Sequence, residues 1–151
     1  MQLFNGLNAT VKQDEPLAPH TWYRLGGPAD YLVEPESIED LQAVVRRCQD
    51  ASIPVYVLGS GANLLIADGG VRGVVIRLKA DAFTKAEVDS SAGKISVGAG
   101  ADMGKLVLRS VHDGLGGLEP ITGIPGTVGG CVRMNAGGAF GDIGSVVDTV
   151  T

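Results

Sequence analysis

Two stretches in which small residues break an apolar run constrain this chain most. In the first, Val55-Tyr56-Val57-Leu58 reads as a buried strand. It opens into Gly59-Ser60-Gly61-Ala62-Asn63 and returns to Leu64-Leu65-Ile66. Gly59 and Gly61 can take backbone angles closed to other residues, and they leave no Cβ in the way of a ligand. Successive N–H groups in such a loop can hold one anion, such as a pyrophosphate. Asn63 adds a short side chain with both donor and acceptor. The plain alternative is a tight turn after a strand.

The second stretch runs from Gly116 to Gly130 and is followed by Met134-Asn135-Ala136-Gly137-Gly138. Pro125 fixes φ, Gly126 permits a sharp turn, and Thr127 can cap a short helix from Val128 to about Met134. A helix start offers free N–H groups and a positive dipole end, which favours a phosphate. Gly129 and Gly130 in the first turn cost about 1 kcal/mol each against Ala. Close approach of backbone to backbone, or of backbone to ligand, explains them better than helix formation.

Neither stretch is a common nucleotide fingerprint. Leu64 and Met103 stand where the Rossmann pattern places a third small residue, and no Gly-x-x-x-x-Gly-Lys word occurs. Net charge −5 and a pI near 4.9 exclude the basic face that nucleic acid requires. No apolar run approaches the ~20 residues of a membrane span, and the start, Met1 to Asn5, lacks a signal-peptide pattern. Cys48 and Cys131 are too far apart in sequence to suggest a disulfide framework or a metal site. His20 has no second ligand at metal spacing and is expected at the surface. A cytoplasmic protein fits these features.

With 151 residues, 44% of them hydrophobic, the chain suits one domain or two small lobes sharing a ligand. Residues 1–19 are expected to form an N-terminal arm or extra helix. Residues 20–80 make a first lobe. It has a strand at Tyr31-Leu32-Val33, then a helix capped by Ser37 with Ile38, Leu41, Val45 and Cys48 as its apolar stripe. Strands at Val55 to Leu58 and Val74 to Leu78 complete it, and strand-helix-strand reads as a βαβ unit. Residues 81–151 make a second lobe. It has strands at Ala86 to Ser90 and Lys94 to Val97, then a helix capped by Asp102 with Met103, Leu106, Val107, Ser110 and Val111 inside. Gly114 ends that helix, and Val146 to Thr151 is read as a last strand. Arg24 has two readings: a fork tying backbone carbonyls near Gly59, which is favoured, or a contact to an anionic ligand.

Taken with Thr21-Trp22-Tyr23-Arg24-Leu25-Gly26-Gly27-Pro28-Ala29, the two Gly-rich stretches resemble the UDP-N-acetylenolpyruvoylglucosamine reductase family, also called UDP-N-acetylmuramate dehydrogenase, of bacterial cell-wall synthesis. The word Gly123-Ile124-Pro125-Gly126-Thr127-Val128-Gly129-Gly130 is its most specific part. The resemblance implies an α+β fold, a two-lobed FAD-binding domain of the vanillyl-alcohol-oxidase type with mixed sheets and flanking helices. It implies FAD as cofactor, NADPH as hydride donor in the full enzyme, and a UDP-sugar substrate. The implied cofactor-binding residues are Leu58, Gly59, Ser60, Gly61, Ala62, Asn63 and Leu64, with Gly59 to Asn63 on the pyrophosphate. Ile124, Pro125, Gly126, Thr127, Gly129, Gly130, Asn135, Ala136 and Gly137 flank the flavin end and ribityl chain. A valine at Gly61 is expected to abolish cofactor binding and leave the fold intact.

The family's Ser, Glu and Arg that protonate and stabilise the intermediate lie beyond the Met134-to-Gly137 word, and none has a matching position here. The chain is therefore expected to be the FAD-binding portion, not catalytic alone and without the substrate domain. The alternative is a stand-alone flavin-binding or partner-binding module. Pro120 and Gly138-Ala139-Phe140 depart from the family pattern at the flavin end.

Overall fold

Tyr31-Leu32-Val33 forms the centre of strand β2 (Pro28–Pro35), the strand on which the first half of the chain is built. The structure is a computed structural model and describes residues 2–151; residue 1 of the expected N-terminal arm lies outside them. The chain divides into two compact units, up to residue 83 and from residue 84.

In the first unit, residues 9–16 are neither an arm nor a helix. They form an edge strand, β1 (Ala9–Pro16), antiparallel to β2 with Val11 opposite Val33. Lys12, Gln13, Asp14 and Glu15 hide the strand in the sequence, because an edge strand can be polar over most of its length. Helix α1 (Ile38–Asp50) follows β2, with the Ser37 hydroxyl accepting the Asp40 N–H at 3.1 Å. Its inward stripe is Leu41, Val44 and Cys48 against Phe4, Val33, Val74 and Ile76. Ile38 and Val45 are exposed. The expected stripe holds at Leu41 and Cys48, while Val44 takes the inward place expected of Val45, because both positions satisfy the helical spacing between them. Ser52, with φ +54°, closes the helix: Ile53 N–H reaches Cys48 O at 2.8 Å and Ser52 N–H reaches Gln49 O at 3.0 Å.

Strands β3 (Val55–Val57) and β4 (Val71–Ile76) complete the sheet in the order β1-β2-β4-β3, with β4 parallel to both neighbours. The β2-α1-β3 unit thus leaves a gap that β4 fills. The Asp30 carboxylate pins the bulge beside β4, accepting from Gly73 N–H at 2.8 Å and from Arg72 at 2.7 Å. One face of the sheet carries α1. On the other, Leu17, Ala29, Leu32, Leu58 and Val75 form a second cluster, with Ile66 packed on it. The long β3–β4 connection therefore lies over that second face. One helical turn, α2 (Asp81–Thr84), buries Phe83 in what reads as a linker.

The second unit opens with a hairpin, β5 (Ala86–Asp89) and β6 (Lys94–Val97), Val88 opposite Ile95. Helix α3 (Met103–His112) is capped by Asp102, which accepts the Lys105 N–H at 2.8 Å. Gly114 ends it at φ +75°, with Leu115 N–H on Ser110 O at 2.8 Å. Met103, Leu106, Val107 and Ser110 face inward; Val111 is exposed. Helix α4 (Val128–Met134) adds Val128 and Cys131 to the same core, with Ile121 and Ile143. A short hairpin, β7 (Gly137–Gly138) with β8 (Gly141–Asp142), follows. Residues 146–151, read from the sequence as a last strand, pair with no strand among the described residues. Among the described residues no helix is long and apolar enough to cross a membrane.

Candidate functional site

The loop after β3 starts with one more sheet bond, Leu58 N–H to Ile76 O at 2.9 Å. Leu58 is buried, Gly59 and Ser60 are half-buried, and Asn63 and Leu64 are exposed. Gly61 is the pivot. It is buried, at φ +70°, and a Cβ there would run into the His20 carbonyl oxygen and stand 2.8 Å from Thr21 Cα. Its own carbonyl accepts the Trp22 N–H at 3.2 Å. A valine at Gly61 would therefore damage the fold itself, contrary to the sequence expectation.

Residues 20–28 and 61–70 lie side by side. Gly26 leaves no room for a Cβ beside Ile66, 2.8 Å from its Cβ, and Gly27 N–H reaches Ala67 O at 2.9 Å. Gly27 and Gly70 back directly onto the carbonyls of Asp68 and Pro28. Buried Thr21 fixes the turn, its hydroxyl donating to Leu25 O at 2.9 Å. The glycines of the Leu25-Gly26-Gly27-Pro28 word thus serve backbone packing.

The N–H groups of Gly59, Ser60, Gly61, Ala62 and Asn63 have no partner among the described residues. Five consecutive unpaired donors at the carboxyl end of a parallel strand are a donor set for a phosphate or diphosphate. A neutral amide array also binds an anion without burying a charge when empty.

The second stretch behaves differently. Thr127 caps α4, but the first N–H groups of that helix are not free. Val128 N–H donates to Ala101 O and Gly129 N–H to Ala99 O, both at 2.8 Å. Gly130 N–H meets the Thr127 hydroxyl at 3.3 Å. The helix start expected to attract a phosphate is closed by its own unit. Gly129 is required because a Cβ would stand 2.8 Å from the Ala99 methyl, and Gly126 because a Cβ would stand 2.7 Å from Cys131 Sγ. Backbone packing accounts for both. Among the described residues the loop amides of Gly123, Gly126 and Thr127 stay unpaired next to α4, around Pro125, which has no N–H to offer.

Ile124 N–H bonds back to Ile121 O, and its side chain packs on the core. Asn135 is the left-handed terminator of α4, at φ +45°, and its side-chain oxygen accepts Gly144 N–H at 3.0 Å. Ala136 donates to Cys131 O and accepts from Ile143 N–H. Gly137 lets the β7–β8 hairpin close, since a Cβ would stand 2.5 Å from that of Asp142. These residues have structural duties that the sequence leaves unseen. Leu58 to Leu64 belong to the first unit and Ile124 to Gly137 to the second.

A polar cluster beside the first loop was missed by sequence reasoning. His20 is not a surface residue: its side chain is 15% exposed. Nε2 lies 3.0 Å from Glu15 Oε1 and Nδ1 lies 2.8 Å from Arg77 Nη1. Arginine can only donate, so Nδ1 accepts and Nε2–H donates to Glu15. Arg77 also faces Glu34 at 3.6 Å, and its buried Nε has no partner among the described residues. The Glu15 carboxyl is held below its usual range by the hydrogen bond from His20 and then by that from Lys12. Burial pushes the Cys131 and Cys48 thiols up, so neither is a ready thiolate. Among the described residues no His, Cys, Asp or Glu group could hold a metal.

The family described as FAD binding domain matches residues 29–151. UDP-N-acetylenolpyruvoylglucosamine reductase of Clostridium botulinum (strain 657 / Type Ba4) is 42% identical over 142 residues, covering 94% of this chain and 45% of the relative. The crystal structure of UDP-N-acetylenolpyruvylglucosamine reductase (MurB) from Thermus caldophilus matches with TM-score 0.71 and 38% identity, over 90% of this chain and 45% of that one. A solvent-stable cholesterol oxidase shares the fold with TM-score 0.68 at 21% identity, over 89% of this chain and 26% of that one. The chain spans a little under half the length of the reductases it matches. The fold is the α+β, vanillyl-alcohol-oxidase type with mixed sheets and flanking helices. The chain belongs to the FAD binding domain family, and FAD is its cofactor.

Proposed function

We propose that this chain holds FAD for an NADPH-dependent reductase that converts UDP-N-acetylglucosamine enolpyruvate to UDP-N-acetylmuramate in peptidoglycan synthesis. The observation that carries the reading is the run of unpaired N–H donors from Gly59 to Asn63, which includes Gly61, where a Cβ would run into the His20 carbonyl oxygen. In this reading those donors take the FAD diphosphate. Leu58 and Leu64 flank them as apolar shoulders. Ile124, Pro125, Gly126, Thr127, Gly129, Gly130, Asn135, Ala136 and Gly137 shape the wall for the flavin end, chiefly by how tightly their backbones pack. The unpaired amides of Gly126 and Thr127 are the donors offered there.

Bound FAD would relay hydride from NADPH to the enolpyruvyl group. The UDP-sugar and the acid that completes the reduction belong to the whole reductase, of which this chain spans the FAD-binding part. Two free, buried cysteines and the nucleotide-sugar chemistry support a cytoplasmic setting.

Asn63→Asp tests the placement. Asn63 is exposed and has no partner among the described residues, so the change leaves the fold alone and sets a negative charge beside the diphosphate. The expected result is FAD binding by the parent chain, weakened about tenfold or more by the variant. Equal FAD affinity in both proteins would contradict the placement, and a parent chain that takes up no FAD would contradict the function.

A further inference from the structure

Arg24 is a long side chain held in a conformation that suits glycine or asparagine, at φ +56°. The residue is exposed, and no hydrogen bond or ion pair of its guanidinium is found among the described residues. The backbone fork expected from the sequence is therefore not formed. Most other cations of the first unit are engaged: Arg47 with the Leu3 and Asn5 carbonyls, Arg72 with Asp30, Arg77 with His20 and Glu34, Lys12 with Glu15, Lys79 with Glu34. Arg46 likewise has no partner among the described residues, but it lies on α1, across the sheet from Leu58.

The position of Arg24 is set by two anchor points. Upstream, Trp22 N–H binds Gly61 O, and downstream Gly26 touches Ile66. Between them, Arg24 lies alongside the part of the loop that carries Asn63 and Leu64. Neutral amides leave most of a diphosphate's charge uncompensated, and a guanidinium fork matches two phosphate oxygens. The nearest carboxylate on the adjoining strand of loop is Asp68, beyond the second anchor.

We propose that Arg24 is a cofactor-binding residue, pairing with the FAD diphosphate that the Gly59-to-Asn63 amides hold. This rests on the diphosphate reading of that loop. In this reading the left-handed backbone at Arg24 is retained for that contact.

The test compares the parent chain with Arg24→Asn, which suits the left-handed backbone, and with Arg24→Lys. FAD and ADP dissociation constants are measured at low and high salt, with thermal midpoints taken without ligand. Arg24→Asn should weaken both ligands about tenfold or more and flatten the salt dependence, with no loss of thermal midpoint. Arg24→Lys should keep the salt dependence and recover part of the affinity. Unchanged affinity and salt dependence in Arg24→Asn, with FAD still bound, would overturn the role of Arg24 alone. Failure of the parent chain to bind either ligand would overturn the diphosphate reading and this proposal with it.

Discussion

The carbonyl oxygen of His20 occupies the space that a side chain on Gly61 would need. The contact joins the turn before β2 to the loop after β3, and Trp22 N–H on Gly61 O closes it from the other side. Gly61→Ala should therefore destabilise the first unit by at least about 2 kcal/mol, from the left-handed backbone and the forced separation together. Denaturant unfolding without FAD measures it. A variant as stable as the parent would show that the two stretches part easily.

Gly129 has the same kind of duty in the second unit. Gly129→Ala pushes a methyl against Ala99, and overpacking of this sort costs about 1–3 kcal/mol. Thr127→Ala removes the α4 cap and costs about 1 kcal/mol. Unfolding midpoints should rank parent, Thr127→Ala, Gly129→Ala. A Gly129→Ala protein of parental stability would mean that the glycine is present for a ligand and not for packing.

Much of this was legible in the sequence, and what was not has a physical cause. Caps carry their own chemistry, so Ser37, Asp102 and Thr127 mark their helices correctly. Strand β1 was hidden because only its Ala9 and Val11 pack against the core. The apolar faces were half right, since Ile38, Val45 and Val111 fit the helical spacing and still face solvent. At the site, the pattern located both Gly-rich loops but could not tell unpaired amides from engaged ones. That distinction depends on Ala99 and Ala101, whose carbonyls close α4 from far along the chain. His20, Arg77 and Glu34 were invisible as a group because only the parallel register of β2 and β4 brings Glu34 beside Arg77.

Acid should weaken the first unit through Asp30. Its carboxyl is held below the ordinary 3.8, first by Arg72 and then by the Gly73 N–H. A depressed folded value means the stabilisation is complete above the unfolded value and is lost as pH falls through the folded one. The stability difference between the parent and Asp30→Asn should be constant above about pH 5 and shrink below about pH 4. A difference that stays level into stronger acid would show that the charge on Asp30 does not hold the β2–β4 bulge.

The central claim is that FAD is held by the amides of Gly59 to Asn63 and not by the start of α4. Backbone amide NMR of the chain during a titration with FAD tests it most directly. The account predicts large, saturable shifts for residues 59–63, while the N–H groups of Val128, Gly129 and Gly130 keep their internal bonds. Strong shifts at 128–130 with residues 59–63 silent would contradict it.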